Sequence, residues 1–190
     1  AILKDPRAVS VRFVLCYPDG YEVGMSHVGS QILYHVINER PDALCERAFN
    51  PYSDAALLLR QRRLPLCSLE SGTPLAEFHV VGVTLQHELT YPTVLSLLEL
   101  GRIPLLASER GDHEPIVLGG GPGAYNPEPL APFFDAFAIG DGEDTVGEVA
   151  EAIKASAGRA RKARLEALAN IPGVYVPAIH DPEQVQVSKR

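Results

Sequence analysis

The sequence predicts an α/β fold: a Rossmann-like (flavodoxin-like), doubly wound, mostly parallel sheet with helices on both faces. Short apolar, β-branched runs alternate along the chain with segments whose apolar residues recur at helical spacing. The clearest run, His79 to Leu85 (HVVGVTL), lacks the strict alternation of a strand with one wet face, as expected of a parallel strand covered on both sides. The third observation is punctuation: the 190 residues include 16 glycines and 16 prolines without a collagen-like period, and many of them follow directly after the apolar runs.

Val11 to Tyr17 (VRFVLCY) is apolar and β-branched enough for a buried strand, and Pro18-Asp19-Gly20 closes it with turn chemistry. From Ser26 to Arg40, Val28, Ile32, Leu33, Val36 and Ile37 keep one helical face; Ser26 is the expected N-cap and Pro41-Asp42 the stop. Ala43 to Phe49 is a second strand, Ser53-Asp54 caps a helix through Arg62, and Leu64 to Ser68 reads as a short strand. After the His79 to Leu85 strand, a helix opens at Tyr91-Pro92 and runs to about Leu100, where Gly101 ends it. Pro115 to Leu118 is a strand running straight into Gly119-Gly120-Gly121-Pro122-Gly123. Phe134 to Ile139 is the last, running into Gly140-Asp141-Gly142-Glu143, with a helix over Asp144 to Ala155. The character changes near Ala157. This places a domain over residues 1–157, then a short helix (Ala163 to Asn170) and an extended connector (Ile171 to Pro177) within 158–190.

Lys and Arg number 17 against 24 Asp and Glu, a net charge of -7, so no global cationic field attracts nucleic acid. Cys16, Cys45 and Cys67 are odd in number and widely spaced, which suits buried thiols in a reducing cytosol better than a disulfide framework or a paired-cysteine metal site. No apolar run approaches the roughly 20 residues of a membrane span, and no basic segment precedes an apolar stretch at the start. A soluble, cytoplasmic protein without membrane partners is expected. The sole methionine is Met25, and the polar stretch after Ile179 offers no element to end on; both ends are expected to be edges of an excised domain.

In an open parallel sheet, ligands bind outside the carboxyl ends of the strands. Four loops lie there: Pro18 to Gly24, Gln86 to Thr90, Gly119 to Tyr125, and Gly140 to Glu143. The Gly119 to Gly123 loop follows a late strand, so it is not the dinucleotide fingerprint, and it lacks the Lys-Ser/Thr ending of a P-loop. It is either a cradle in which a ligand approaches backbone amides or a tight turn. In the second glycine turn, Glu143 and Asp144 are accounted for by helix capping and the helix dipole. The histidines include no pair at metalloprotease spacing, and His87-Glu88 past the strand has no nucleophile beside it, so neither a catalytic residue nor a metal site is expected. Tyr17 and Tyr21 could stack on a ligand ring or close the edge of the core.

Five motifs then stand in order: Tyr17 to Gly29 (YPDGYEVGMSHVG), Ser68 to Ser71 (SLES), Val83 to Leu89 (VTLQHEL), Gly119 to Leu130 (GGGPGAYNPEPL), and Phe134 to Glu143 (FDAFAIGDGE). Together, over about residues 10–178, they resemble the N-terminal domain of a family that joins a cobalamin-binding-like domain to a radical S-adenosylmethionine (SAM) domain. The resemblance implies that Tyr17, Pro18, Thr84, Gln86, Gly119, Gly120, Gly121, Gly140, Gly142 and Glu143 face a small-molecule ligand, cobalamin or a substrate. It implies a C-terminal radical SAM domain in the same polypeptide, carrying SAM and a [4Fe–4S] cluster. The Cys-x-x-x-Cys-x-x-Cys signature of such a cluster is absent from these residues, so this portion is non-catalytic alone. The Asp-x-His-x-x-Gly motif that supplies a lower axial histidine is also absent; Ser26-His27-Val28-Gly29 has another spacing, so cobalamin would lack that ligand. The alternative is a sheet that has kept the fold, lost the ligand and serves as an interdomain docking module.

Overall fold

The computed structural model describes residues 1–181; the polar end of the expected connector, residues 182–190, lies outside the described residues. The strands are β1 (Val11–Tyr17), β2 (Ala43–Phe49), β3 (Val80–Thr84), β4 (Ile116–Gly120), β5 (Ala136–Ala138) and β6 (Val174–Tyr175). They form one sheet in the order β2-β1-β3-β4-β5-β6. All neighbours are parallel except β6, which runs antiparallel to β5. The helices are α1 (Tyr21–Ser26), α2 (Val28–Glu39), α3 (Ser53–Arg62), α4 (Tyr91–Leu100), α5 (Gly142–Ala155) and α6 (Arg161–Ala169). This is the doubly wound, flavodoxin-like order, with the switch point between β1 and β3.

Alternation of side chains along each strand decides which layer each residue enters. Val14, Cys16, Val81, Val83, Val117 and Phe137 pack on the side of α3 and α4, against Ala56, Val94, Leu97 and Leu98. Val11, Phe13, Val80, Ile116, Leu118, Ala136 and Ala138 pack on the other side, under Tyr34 and Ile37 of α2, Val146, Val149 and Ile153 of α5 and Leu168 of α6. Leu15, Gly82, Thr84 and Gly120 continue this second row toward the carboxyl ends of the strands, by the same alternation.

Several expected elements differ. The helix expected from Ser26 begins instead at Val28, with the extended His27 (φ -76°, ψ 109°) and not Ser26 as its N-cap, and Tyr21–Ser26, expected largely within the Pro18 to Gly24 loop, forms α1. Leu64 to Ser68 is no strand and makes only an isolated bridge, Cys67 to Pro74. Pro65 has no N–H to donate, and the Leu66 N–H goes to the Leu100 carbonyl at the end of α4. The connector at Ile171 to Pro177 contains β6, and Leu168, Val174 and Val176 are buried in the same core as α5. β4 runs on through Gly119 and Gly120, and α5 begins at Gly142. The three cysteines are free thiols; Cys16 and Cys45 are buried and Cys67 is half-buried.

The Asp135 carboxylate, at the amino end of β5, is buried between the Arg110 guanidinium (2.8 Å) and the Arg161 guanidinium (2.7 Å). It also accepts the Val117 N–H (2.7 Å), so one side chain ties β4, β5 and α6 together.

Candidate ligand-binding site

At the carboxyl ends of β1, β3, β4 and β5, α2 and α5 part above the sheet and leave a cavity of about 320 Å³. Its floor is Leu15, Gly82, Thr84, Leu118 and Gly120, its walls are Ser30 and Leu33 of α2 and Val146 of α5, and Gln86, Gly121 and Gly140 to Glu143 form its rim. A larger cavity of about 740 Å³ lies beside the Arg110, Asp135 and Arg161 cluster. There Arg110, Asp135 and Arg161 are consumed by one another, and that cluster is at the amino ends of the strands.

The three consecutive glycines do different work. A Cβ on Gly119 would enter the opposite layer, 2.8 Å from Phe137 and 3.0 Å from Leu85, so packing requires glycine. Gly121 has φ +91° and a Cβ there would lie 3.0 Å from the Leu85 carbonyl oxygen, so the turn requires glycine. Gly120 is strand backbone without positive φ, and a Cβ on it would meet nothing within 4 Å. Neither conformation nor packing calls for glycine at that position, which opens on the cavity.

His27 stands at the cavity edge as the N-cap of α2. Its Nδ1 accepts the Ser30 amide N–H (3.1 Å) and lies 2.9 Å from Ser30 Oγ, which lies 3.4 Å from Thr84 Oγ1. The nitrogen that would activate Ser30 as a nucleophile is already taken by the backbone donor, so this is a capping arrangement and not a nucleophile with its base. The charged side chains on the lining are Asp141 and Glu143, with no Lys or Arg among them, and the Gln86 amide makes no hydrogen bond to another described residue. Among the described residues no group of three or more His, Cys, Asp or Glu could hold a metal ion.

Burial lowers the pKa of His27 below its usual value. The unfolded chain therefore takes up its proton near pH 6.5, where the folded chain still resists it. The cap's contribution is complete above that pH and is lost as pH falls through the lower, folded pKa. Urea denaturation between about pH 7.5 and about pH 5 is expected to show declining stability, and His27→Asn, which caps without titrating, is expected to flatten that decline.

A family model described as "Radical SAM proteins, N-terminal" matches residues 29–177. The chain belongs to this family. A solved structure of the radical S-adenosylmethionine methyltransferase TsrM from Kitasatospora setae, with tryptophan substrate and a SAM analogue bound, superposes with a TM-score of 0.54 at 17% sequence identity. The match covers 87% of this chain and 28% of that one, so the chain spans little more than a quarter of that enzyme's length. At that identity the likeness shows the fold. No curated protein matches the chain.

In this radical SAM N-terminal domain, Thr84, Gln86, Gly119, Gly120, Gly121, Gly140, Gly142 and Glu143 all line the one cavity. Tyr17 and Pro18 do not. Tyr17 stands behind the cavity wall with its ring 5.0 Å from that of His27. Pro18 is buried in the loop that is tied back to β2 by the Asn50 N–H, which donates to the Tyr17 and Asp19 carbonyls. Sequence reasoning missed His27, Ser30 and Leu33, which α2 brings over the sheet. The available signal was a histidine immediately before a helical pattern with a serine three residues later.

Proposed function

We propose that this radical SAM N-terminal domain is an accessory binding module that holds cobalamin, or a substrate, at the carboxyl end of its sheet and presents it to a radical SAM domain of the same polypeptide. The observation that carries this reading is Gly120: a side chain is missing where the fold has room for one, directly on the floor of the strand-end cavity. The cavity is at the small end of ligand sites, so it fits one arm of a cobalamin-sized molecule, with the macrocycle over the rim. Gly119 to Gly121 would offer backbone groups, Thr84 and Gln86 side-chain hydrogen bonds, and Leu15, Leu33, Leu118 and Val146 walls that exclude water. When bound, cobalamin supplies an alkyl carrier, while the SAM and [4Fe–4S] cluster of the other domain supply radical chemistry. This domain contributes orientation and shelter.

Free thiols suit the reducing cytoplasm proposed as its compartment. No helix among the described residues is long and apolar enough to cross a membrane. A second reading, a docking module without a ligand, draws on Val28, Leu89 and Tyr125, which are 65%, 87% and 59% exposed in the loops and helix start at the same end of the sheet. Spectrophotometric titration with hydroxocobalamin and adenosylcobalamin tests the cobalamin reading. The expected result is a shift of the corrin bands and corrin retained through gel filtration; no change at high micromolar ligand would overturn the cobalamin reading and leave a substrate or a docking role.

A further inference from the structure

We infer that His27 serves this site as a neutral hydrogen-bond donor through Nε2–H, recognising an uncharged acceptor such as an amide carbonyl or a ring nitrogen, and not an anion or a metal ion. The inference rests on the reading of the strand-end cavity as a ligand site.

A backbone amide can only donate, and the Ser30 N–H points at His27 Nδ1 from 3.1 Å. Nδ1 therefore carries no proton, and a neutral imidazole in that state has its proton on Nε2. That amide engages the Nδ1 lone pair; the Ser30 hydroxyl lies 2.9 Å from Nδ1 and 3.4 Å from the Thr84 hydroxyl. His27 lines the cavity with Nδ1 turned to the helix, and Nε2 has no hydrogen-bond partner among the described residues. The free polar atom of the ring is thus a donor.

The same geometry opposes a metal. A histidine ligating through one nitrogen ordinarily donates a hydrogen bond through the other. Here the other nitrogen accepts, so coordination through Nε2 would demand either a doubly deprotonated ring or loss of the α2 cap. An anion is opposed by charge. The charged side chains facing the cavity are Asp141 and Glu143, and protonation of His27 itself would break the cap. Burial acts in the same direction, favouring the neutral ring. What remains is an acceptor without charge, with the unpaired Gln86 amide on the rim able to supply a second hydrogen bond. Cobalamin, whose peripheral arms end in neutral amides, carries such groups.

Three measurements on the protein test this, with His27→Asn as the variant because asparagine keeps an N-cap acceptor and removes the ring donor. Long-range proton–nitrogen NMR of histidine-labelled wild type, with His27 assigned by its absence from the variant, is expected to show a neutral ring protonated on Nε2 at pH 7. A ring protonated on Nδ1, or on both nitrogens, would overturn the inference without any ligand present. Titration with hydroxocobalamin is expected to be about three- to tenfold weaker for the variant, the worth of one neutral hydrogen bond, at an unchanged thermal midpoint. Equal affinity would overturn the inference. Electron paramagnetic resonance of bound cob(II)alamin is expected to be the same in wild type and variant; a nitrogen splitting lost on substitution would show His27 on cobalt and overturn it. Wild type that retains no corrin sinks the cobalamin reading, whereas the wrong tautomer in a protein that does retain corrin sinks this inference alone.

Discussion

Replacing Gly120 with leucine is expected to weaken corrin binding by at least about 100-fold, a loss of roughly 2.7 kcal/mol, while the domain stays as stable as before or gains slightly. The strand backbone at Gly120 has no positive φ, so an L-residue adopts it without strain, and the new Cβ meets nothing within 4 Å. Glycine within a strand costs about 0.5–1 kcal/mol relative to alanine through its extra freedom when unfolded, which is the source of the expected gain. The leucine side chain then fills part of a cavity of about 320 Å³ from its floor. Gly119→Leu is the control: its Cβ would sit 2.8 Å from the buried ring of Phe137, so that variant is expected to lose stability first. Urea denaturation and hydroxocobalamin titration of the two variants give opposite patterns. Corrin binding that survives Gly120→Leu would remove this cavity from the site.

The parts of the fold legible in the sequence are those set by local chemistry. β1 has the expected bounds because it is a largely apolar run with a sharp stop at Pro18, and β2 keeps its expected bounds although Glu46 and Arg47 interrupt its apolar residues. α4 likewise runs from Tyr91 to Leu100, opened by Pro92 and closed by Gly101. What escaped is what distant partners decide. β6 is two residues long and exists only because β5 lies beside Ile171 to Pro177. The break at His27 depends on a ring acting as an N-cap, a use of histidine that propensity does not signal. The same division runs through the candidate site. Gly119 to Gly121, Thr84 and Gln86 are legible because strand ends in a parallel sheet share one edge. Tyr17 and Pro18 share that edge in sequence but turn away from the cavity, because the loop after β1 is tied back to β2.

Asp135→Asn is expected to cost about 3–5 kcal/mol of stability, a large part of the 5–15 kcal/mol typical of a domain. The side chains of Arg110, Asp135 and Arg161 are 0%, 1% and 8% exposed, so little water is available to screen either cation once its counter-charge is gone. Burial already pushes the Arg110 pKa below its usual value, and Asp135 gives the largest opposition to that push. Asparagine keeps the shape but presents at least one N–H to a guanidinium, exchanging an ionic contact for a repulsive one. The damage spreads because each arginine also organises backbone. Arg110 donates to the Pro104, Leu105 and Phe133 carbonyls, and Arg161 to the Gly111, Glu114 and Pro115 carbonyls, so the loops entering β4 and β5 and the start of α6 loosen together. Urea denaturation measures the loss, and a change below about 1 kcal/mol would show that Asp135 offsets only its own desolvation. The cluster sits at the amino ends of the strands, away from the Gly120 cavity. Asp135→Asn protein that remains folded is therefore expected to bind hydroxocobalamin as wild type does, the reverse of Gly120→Leu, which separates what holds this sheet together from what it holds.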